Sequence, residues 1–243
     1  MSDAAYRGTH VRLDLLQFAP GTSAAVEAPE SEEAVLVLLE GSVTFDGEIA
    51  YRESVFDTRA TAVYLPPRAH VVVETSSEAE LALATTVDCG LSMTGDHPTL
   101  VEPDQVTVHD RGQPGWQRAV HDVVADNVPA AQRLIVGETF NEPGQWSSFP
   151  PHKHDGADGE PALEEVYYFR FDNSDGFGFQ GLYESDGPER AEFLRHGSVV
   201  GIPRGYHPVC AAPGYRLYYL WALVGAERRL AMYEDPAHRW LRD

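Results

Sequence analysis

Basic residues are scarce in this chain: 18 Lys and Arg stand against 38 Asp and Glu in 243 residues, a net charge of −20. A surface that acidic repels phosphate backbones and anionic headgroups, which argues against nucleic-acid and membrane partners. Cysteine is nearly absent. The two that occur, Cys89 and Cys210, lie far apart and offer neither a disulfide framework nor a thiolate zinc site. Long apolar runs are missing as well. The longest aliphatic stretch, Ala34–Leu39, is too short to cross a bilayer, and Met1–Arg7 lacks the basic-then-apolar order of a secretion signal. A cytoplasmic protein is expected. Helical periodicity sustained over several turns is also lacking; weak helical turns are read only near 129–133 and over Asp235–Leu241.

What the chain has is a succession of short strand-like runs punctuated by Gly, Pro, Asp and Ser. They are Ala34–Leu39, Ala62–Leu65, Val71–Glu74, Leu81–Val87, Arg133–Phe140, Val166–Phe171, Phe177–Tyr183, Ser198–Ile202 and Leu217–Val224. Runs rich in Val, Tyr, Phe and Leu between turn formers predict an all-β sandwich or barrel. An internal echo divides the chain. Leu65-Pro-Pro-Arg-Ala-His70 returns as Ile202-Pro-Arg-Gly-Tyr-His207, and Glu32-Glu-Ala-Val35 returns as Glu164-Glu-Val-Tyr167. Two echoes in one order predict two copies of one barrel. The halves are expected at 1–110 and 111–243, parted within the polar stretch Thr94–Gly115.

Chemistry concentrates in the second half. In Pro150-Pro-His-Lys-His-Asp155 an extended backbone turns His152 and His154 to one side and Lys153 to the other. A glutamate at 164 or 165 follows, then His207 after Gly205. Three imidazoles and a carboxylate suit one divalent first-row ion: zinc first, with manganese, iron, cobalt or nickel as alternatives. Glu164 and Glu165 face opposite ways on a strand, so one of them ligates. The other histidines are read as ordinary hydrogen-bonding residues.

At these positions the chain resembles the cupin superfamily. Gly144 with the following His-x-His is similar to the first cupin motif, and Gly197-Ser-Val-Val-Gly-Ile-Pro-Arg-Gly-Tyr-His207 to the second. The second is one residue tight between Gly205 and His207, and Ala211 stands where an Asn is usual. A closer resemblance is to the 5-deoxy-glucuronate isomerases of myo-inositol catabolism, related to the 5-dehydro-4-deoxy-glucuronate ketol-isomerases. It rests on Pro150–Asp155, Leu163-Glu-Glu-Val-Tyr-Tyr-Phe169, Gly178-Phe-Gln180 and Pro203-Arg-Gly-Tyr-His-Pro-Val209. Further support comes from Ala212-Pro-Gly-Tyr215, Leu217-Tyr-Tyr-Leu220 and Asp235-Pro-Ala-His238. The match is dense over 140–243 and loose before it.

The resemblance implies a bicupin of two tandem jelly-roll-like barrels and an aldose–ketose isomerase turning 5-deoxy-glucuronate into 5-dehydro-2-deoxy-gluconate. It also implies metal ligands His152, His154, Glu165 and His207. Glu165 is chosen over Glu164 because the ligating glutamate of the ketol-isomerases directly precedes Val-Tyr. Glu33 and His70 match in the first half without a His-x-His, so that half is expected to hold no metal. A bound Lewis acid would lower the cost of the enediolate, and a positioned base would move the proton. Glu164, Tyr167, Tyr183 and Tyr206 are candidates, with Glu164 and Tyr206 first. The sugar-acid substrate needs a cationic anchor, for which Arg204 is preferred and Arg170 second; Tyr183 and Gln180 complete the expected substrate contacts. A homo-oligomer is compatible with this reading. Competing readings are the sister 5-dehydro-4-deoxy-glucuronate isomerase, an iron-dependent cupin dioxygenase with the same ligands, and a non-catalytic sugar-binding cupin.

Overall fold

The computed structural model describes residues 2–92 and 97–242, so positions 94–96 of the expected boundary stretch lie outside the described residues. The chain is all-β. Its one helix among the described residues is the 3-10 turn Pro236–Arg242, which the C-terminal reading anticipated. The weak turn near 129–133 joins strands Arg118–Val124 and Leu134–Asn141 without becoming a helix. No helix among the described residues is long and apolar enough to cross a membrane.

Strands Ala62–Leu65 and Phe177–Tyr183 have the expected bounds. The first long strand instead runs on from Ala34 to Phe45. A register shift between Leu38 and Glu40 absorbs the break, and Gly41 takes φ 108° where a Cβ would sit 2.4 Å from the Glu78 carbonyl oxygen. The strand then changes partners, to Glu48–Arg52 and His70–Thr75.

Contacts divide the chain into two compact units, Met1–Thr107 with Asp122–Gly137, and Val108–His121 with Glu138–Asp243. In the first unit, strand Ala34–Phe45 lies between Ala79–Thr86 and Ala62–Leu65, antiparallel to both. Its inward residues Ala34, Leu36 and Leu38 pack with Val63, Leu65, Val71, Val73, Leu81 and Leu83 into an aliphatic core. Glu33 points the other way and is fully buried. Its carboxylate accepts hydrogen bonds from the Tyr64 hydroxyl at 2.8 Å and from the amides of Gln132, Arg133 and Leu134 at 2.9, 2.7 and 2.6 Å. His70 is exposed.

In the second unit, strand Leu163–Phe171 lies between Leu217–Gly225 and Val199–Ile202, again antiparallel to both. A second sheet orders Trp146–Ser147, Val209–Ala211, Phe177–Tyr183 and Glu189–Arg195. The two sheets face each other: the Tyr219 hydroxyl donates to Ser147 Oγ at 3.0 Å, and the Tyr167 ring stands 5.9 Å from the His207 ring. Register refines the internal echo. Leu65, which precedes Pro66, pairs with Ala34, whereas Ile202, which precedes Pro203, pairs with Glu165. Ala34, not Glu33, therefore stands where the second unit has Glu165. The first unit fills its interior with aliphatic side chains; the second lines the same face with Glu165, Tyr167 and Phe169.

Candidate metal centre

Three buried side chains converge in the second unit. One ligand atom from each of His154, Glu165 and His207 lies within 4.8 Å of the others. Strand Leu163–Phe171 carries Glu165 on its inward face beside Tyr167. His207 enters from the turn before Val209–Ala211, and His154 follows the short strand His152–Lys153. Gly205 makes the His207 turn: at φ 85° it occupies space where a Cβ would meet the Tyr183 carbonyl oxygen at 2.6 Å.

Backbone carbonyls set the tautomers. His154 Nδ1 donates to the Leu163 carbonyl at 2.9 Å, and His207 Nδ1 to the Gly205 carbonyl at 3.0 Å. Both rings therefore present Nε2 to Glu165, whose Oε2 is 2.9 Å from His154 Nε2 and 3.4 Å from His207 Nε2. Burial holds the His207 pKa down to about 4. Burial alone would lower His154 too, but its hydrogen bond to Glu165 outweighs that and raises it. His207 Nε2 is buried without a hydrogen-bond partner. The orphaned His207 Nε2, the Glu165 carboxylate, and His154 Nε2 once it gives up the proton it shares with Glu165 fit a divalent cation with N and O ligands.

His152 stands beside this group, its ring 4.8 Å from that of His207 and 6.4 Å from that of His154. Burial and the two neighbouring imidazoles push its pKa well down. Lys153 points away from the rings, as strand alternation requires. Its ammonium is 2.5 Å from Asp155, 2.9 Å from Asp158 and 3.0 Å from Glu160, which ties down the loop between His154 and Glu165.

The remaining expected residues divide by strand face. Gln180 pairs with Val209 and so shares the inward face of His207, two residues before Val209. It is fully buried, and both its amide atoms lack a hydrogen-bond partner. Glu164 and Arg170 occupy the opposite face of the Glu165 strand; Arg170 Nε donates to the Tyr168 hydroxyl at 3.2 Å on that side. Tyr206 neighbours His207 in an extended segment and is likewise turned away. It stacks on Tyr183 at 5.0 Å, and the Tyr183 hydroxyl donates to Asp235 at 2.7 Å. Arg204 is largely exposed and paired with Glu184 at 3.0 Å. In the contacts just described, none of these five meets the imidazole group.

Tyr167 does. Its hydroxyl lies 3.2 Å from Ser148 Oγ, and burial followed by the Glu165 charge drives its pKa well up. Cations that sequence reasoning missed, Arg111, Arg118 and Arg242, line a cavity of about 310 Å³ whose wall includes His152. These segments are too far apart in the chain for any local pattern to join them.

The sequence profile of the KduI/IolB family matches residues 1–241. The 5-deoxy-glucuronate isomerase of Bacillus subtilis (strain 168) is 35% identical over 244 residues, 96% of this chain and 88% of that protein. That of Shouchella clausii is 38% identical over 222 residues, 87% of this chain and 80% of that protein. The crystal structure of an IolB-like protein from Salmonella typhimurium LT2 superposes with a TM-score of 0.86 at 32% identity, covering 97% of this chain and 91% of that one. The oxalate decarboxylase of Lactobacillus farciminis, in its formate complex, gives a TM-score of 0.66 at 14% identity, covering 97% of this chain and 81% of that one; it shares the fold.

Proposed function

Because the chain belongs to the KduI/IolB family, we propose that it is a metal-dependent aldose–ketose isomerase converting 5-deoxy-glucuronate to 5-dehydro-2-deoxy-gluconate. The Bacillus subtilis and Shouchella clausii relatives support this substrate over the sister 4-deoxy acid, since both are named 5-deoxy-glucuronate isomerase. The observation that carries the reading is one carboxylate oxygen, Glu165 Oε2, standing 2.9 Å from His154 Nε2 and 3.4 Å from His207 Nε2.

The proposed ligands are His154, Glu165 and His207, with His152 as the fourth; zinc is the first candidate, then manganese, iron, cobalt or nickel. When bound, such an ion polarises the substrate carbonyl and its neighbouring hydroxyl. Tyr167 keeps its hydroxyl proton at neutral pH and is placed to donate it to a substrate oxygen, with Ser148 Oγ fixing its direction. Gln180 offers a sugar hydroxyl both a donor and an acceptor. A fully buried amide with neither satisfied costs about 1–3 kcal/mol, which a bound ligand recovers. The chain is read as a bicupin with halves near 1–110 and 111–243. The second half carries the site, and the first, its interior filled by Leu36, Leu38, Val71 and Val73, serves as a packed copy without ligands.

The test is turnover. Purified protein given 5-deoxy-glucuronate without oxygen should form the ketose, lose that activity on chelation and regain it with a divalent ion. Absence of ketose from metal-loaded protein overturns the reading, and a requirement for oxygen replaces it with a dioxygenase.

A further inference from the structure

A strongly acidic protein that takes a sugar acid must hold a carboxylate against its own field. The second unit offers a place suited to it. The cavity of about 310 Å³ beside the imidazole group is lined by Arg111, Arg118 and Arg242, with Glu234 as its carboxylate and His152 in its wall. Arg242 is paired with Glu234. Among the described residues, Arg111 and Arg118 have no ion-pair partner, although the chain carries 38 acids and 18 bases. The cavity thus retains positive charge that the protein does not neutralise.

Arg118 is the organised member. Its Nη1 donates to the Trp116 and Phe149 carbonyls, each at 3.2 Å, which holds the half-buried guanidinium in place. Nε and Nη2 are left as a fork for a planar anion. Burial lowers the Arg118 pKa, and the nearby Arg111 and Arg242 charges act in the same direction, as expected of cations gathered round one empty space. Phe149 and Pro150 share that wall and lead directly into His152. Repulsion among the guanidiniums falls when an anion enters, so the arrangement selects for one.

We propose that this cavity seats the substrate carboxylate, with Arg118 as the two-pronged anchor and Arg111 as the second charge, so that the sugar chain extends past His152 toward Glu165 and His207. The assignment rests on the sugar-acid reading of the site. It displaces Arg204, which is exposed and engaged by Glu184, and Arg170, which lies on the far face of its strand. A hydrogen-bonded ion pair of this kind is worth roughly 10- to 100-fold in binding.

The experiment compares metal-loaded wild type, R118A, R118K and R111A in two measurements: calorimetric binding of D-glucuronate against D-glucose, and steady-state turnover of 5-deoxy-glucuronate. Expected are loss of glucuronate binding and a KM rise of roughly 10- to 100-fold in R118A, a smaller rise in R111A, incomplete rescue in R118K, and unchanged metal content and melting temperature. R111A alters an exposed side chain and keeps the test open if R118A does not fold. Wild-type KM and glucuronate affinity in folded R118A or, failing that, in R111A overturn the anchor while leaving the isomerase reading intact. If wild type does not turn over the substrate, the isomerase reading fails, and glucuronate binding that still depends on Arg118 and Arg111 upholds the anion seat. Equal binding of glucuronate and glucose overturns it.

Discussion

The carbonyl of Gly205 accepts a hydrogen bond from His207 Nδ1 at 3.0 Å, and the same glycine can adopt its φ of 85° only because it has no Cβ to press on Tyr183. One residue therefore makes the turn and also fixes the tautomer that sends His207 Nε2 inward. Gly205→Ala should lower metal affinity about 10- to 100-fold, the usual cost of disturbing a group that orients a ligand, with little change in far-ultraviolet circular dichroism. Chelator competition reads the affinity, and wild-type affinity in the variant would show that the turn does not position the ring.

Lys153 organises the loop between His154 and strand Leu163–Phe171. Burial would lower its pKa, yet hydrogen bonds to Asp155, Asp158 and Glu160 raise it. Glu160, despite burial, is held down at about 2 by its own backbone amide, Lys153 and the Asp158 amide. The raised lysine contributes stability below its ordinary pKa and loses it only at strongly alkaline pH. The depressed glutamate contributes above its ordinary value of 4.5 and loses it as pH falls toward 2. Lys153→Met leaves buried carboxylates uncompensated and should cost about 3–5 kcal/mol at pH 7. The deficit should shrink on acidification to about pH 4.5, as those carboxylates take up protons. Denaturant melts at the two pH values check this; an equal deficit at both would contradict it.

Metal uptake should release protons. His207 and His152 are already neutral at pH 7, but His154, raised by Glu165, retains its proton more readily. Affinity should therefore fall as pH drops through and below the His154 range. Calorimetry in buffers of different ionisation enthalpy measures the release directly, and pH-independent affinity between pH 6 and 8 would remove His154 from the ligand set.

Much of this site was legible in the sequence, and the reasons are local. His152, His154 and His207 declared themselves through a two-residue spacing and a Gly-x-His turn, and the central strands of the sheets, such as Ala34–Phe45, Leu163–Phe171 and Leu217–Gly225, through β-rich runs between turn formers. Adjacent residues on a strand must face opposite ways, which already separates Glu164 from Glu165 and Tyr206 from His207; the structure applies that rule to both pairs. The charged strand Glu189–Arg195 was illegible because its exposed face hides the apolar signal. The Arg118 cavity was illegible because segments near 111–118, 149–152 and 232–242 meet only after folding.

Glu33 tests whether the first unit takes part in holding metal. It serves backbone amides and the Tyr64 hydroxyl rather than imidazoles. Glu33→Gln turns an NH₂ group toward those donors and should destabilise the protein by about 1–3 kcal/mol, with metal content per folded chain unchanged. Loss of metal at wild-type stability would assign Glu33 the opposite role.

The most direct measurement titrates a divalent ion into chelated protein while recording bound metal and 5-deoxy-glucuronate turnover together, in wild type and His207→Ala. The account predicts activity rising in proportion to occupancy and saturating at one ion per chain, with His207→Ala binding weakly and turning over little. Full turnover by metal-free wild type, or full occupancy and activity in His207→Ala, would contradict it.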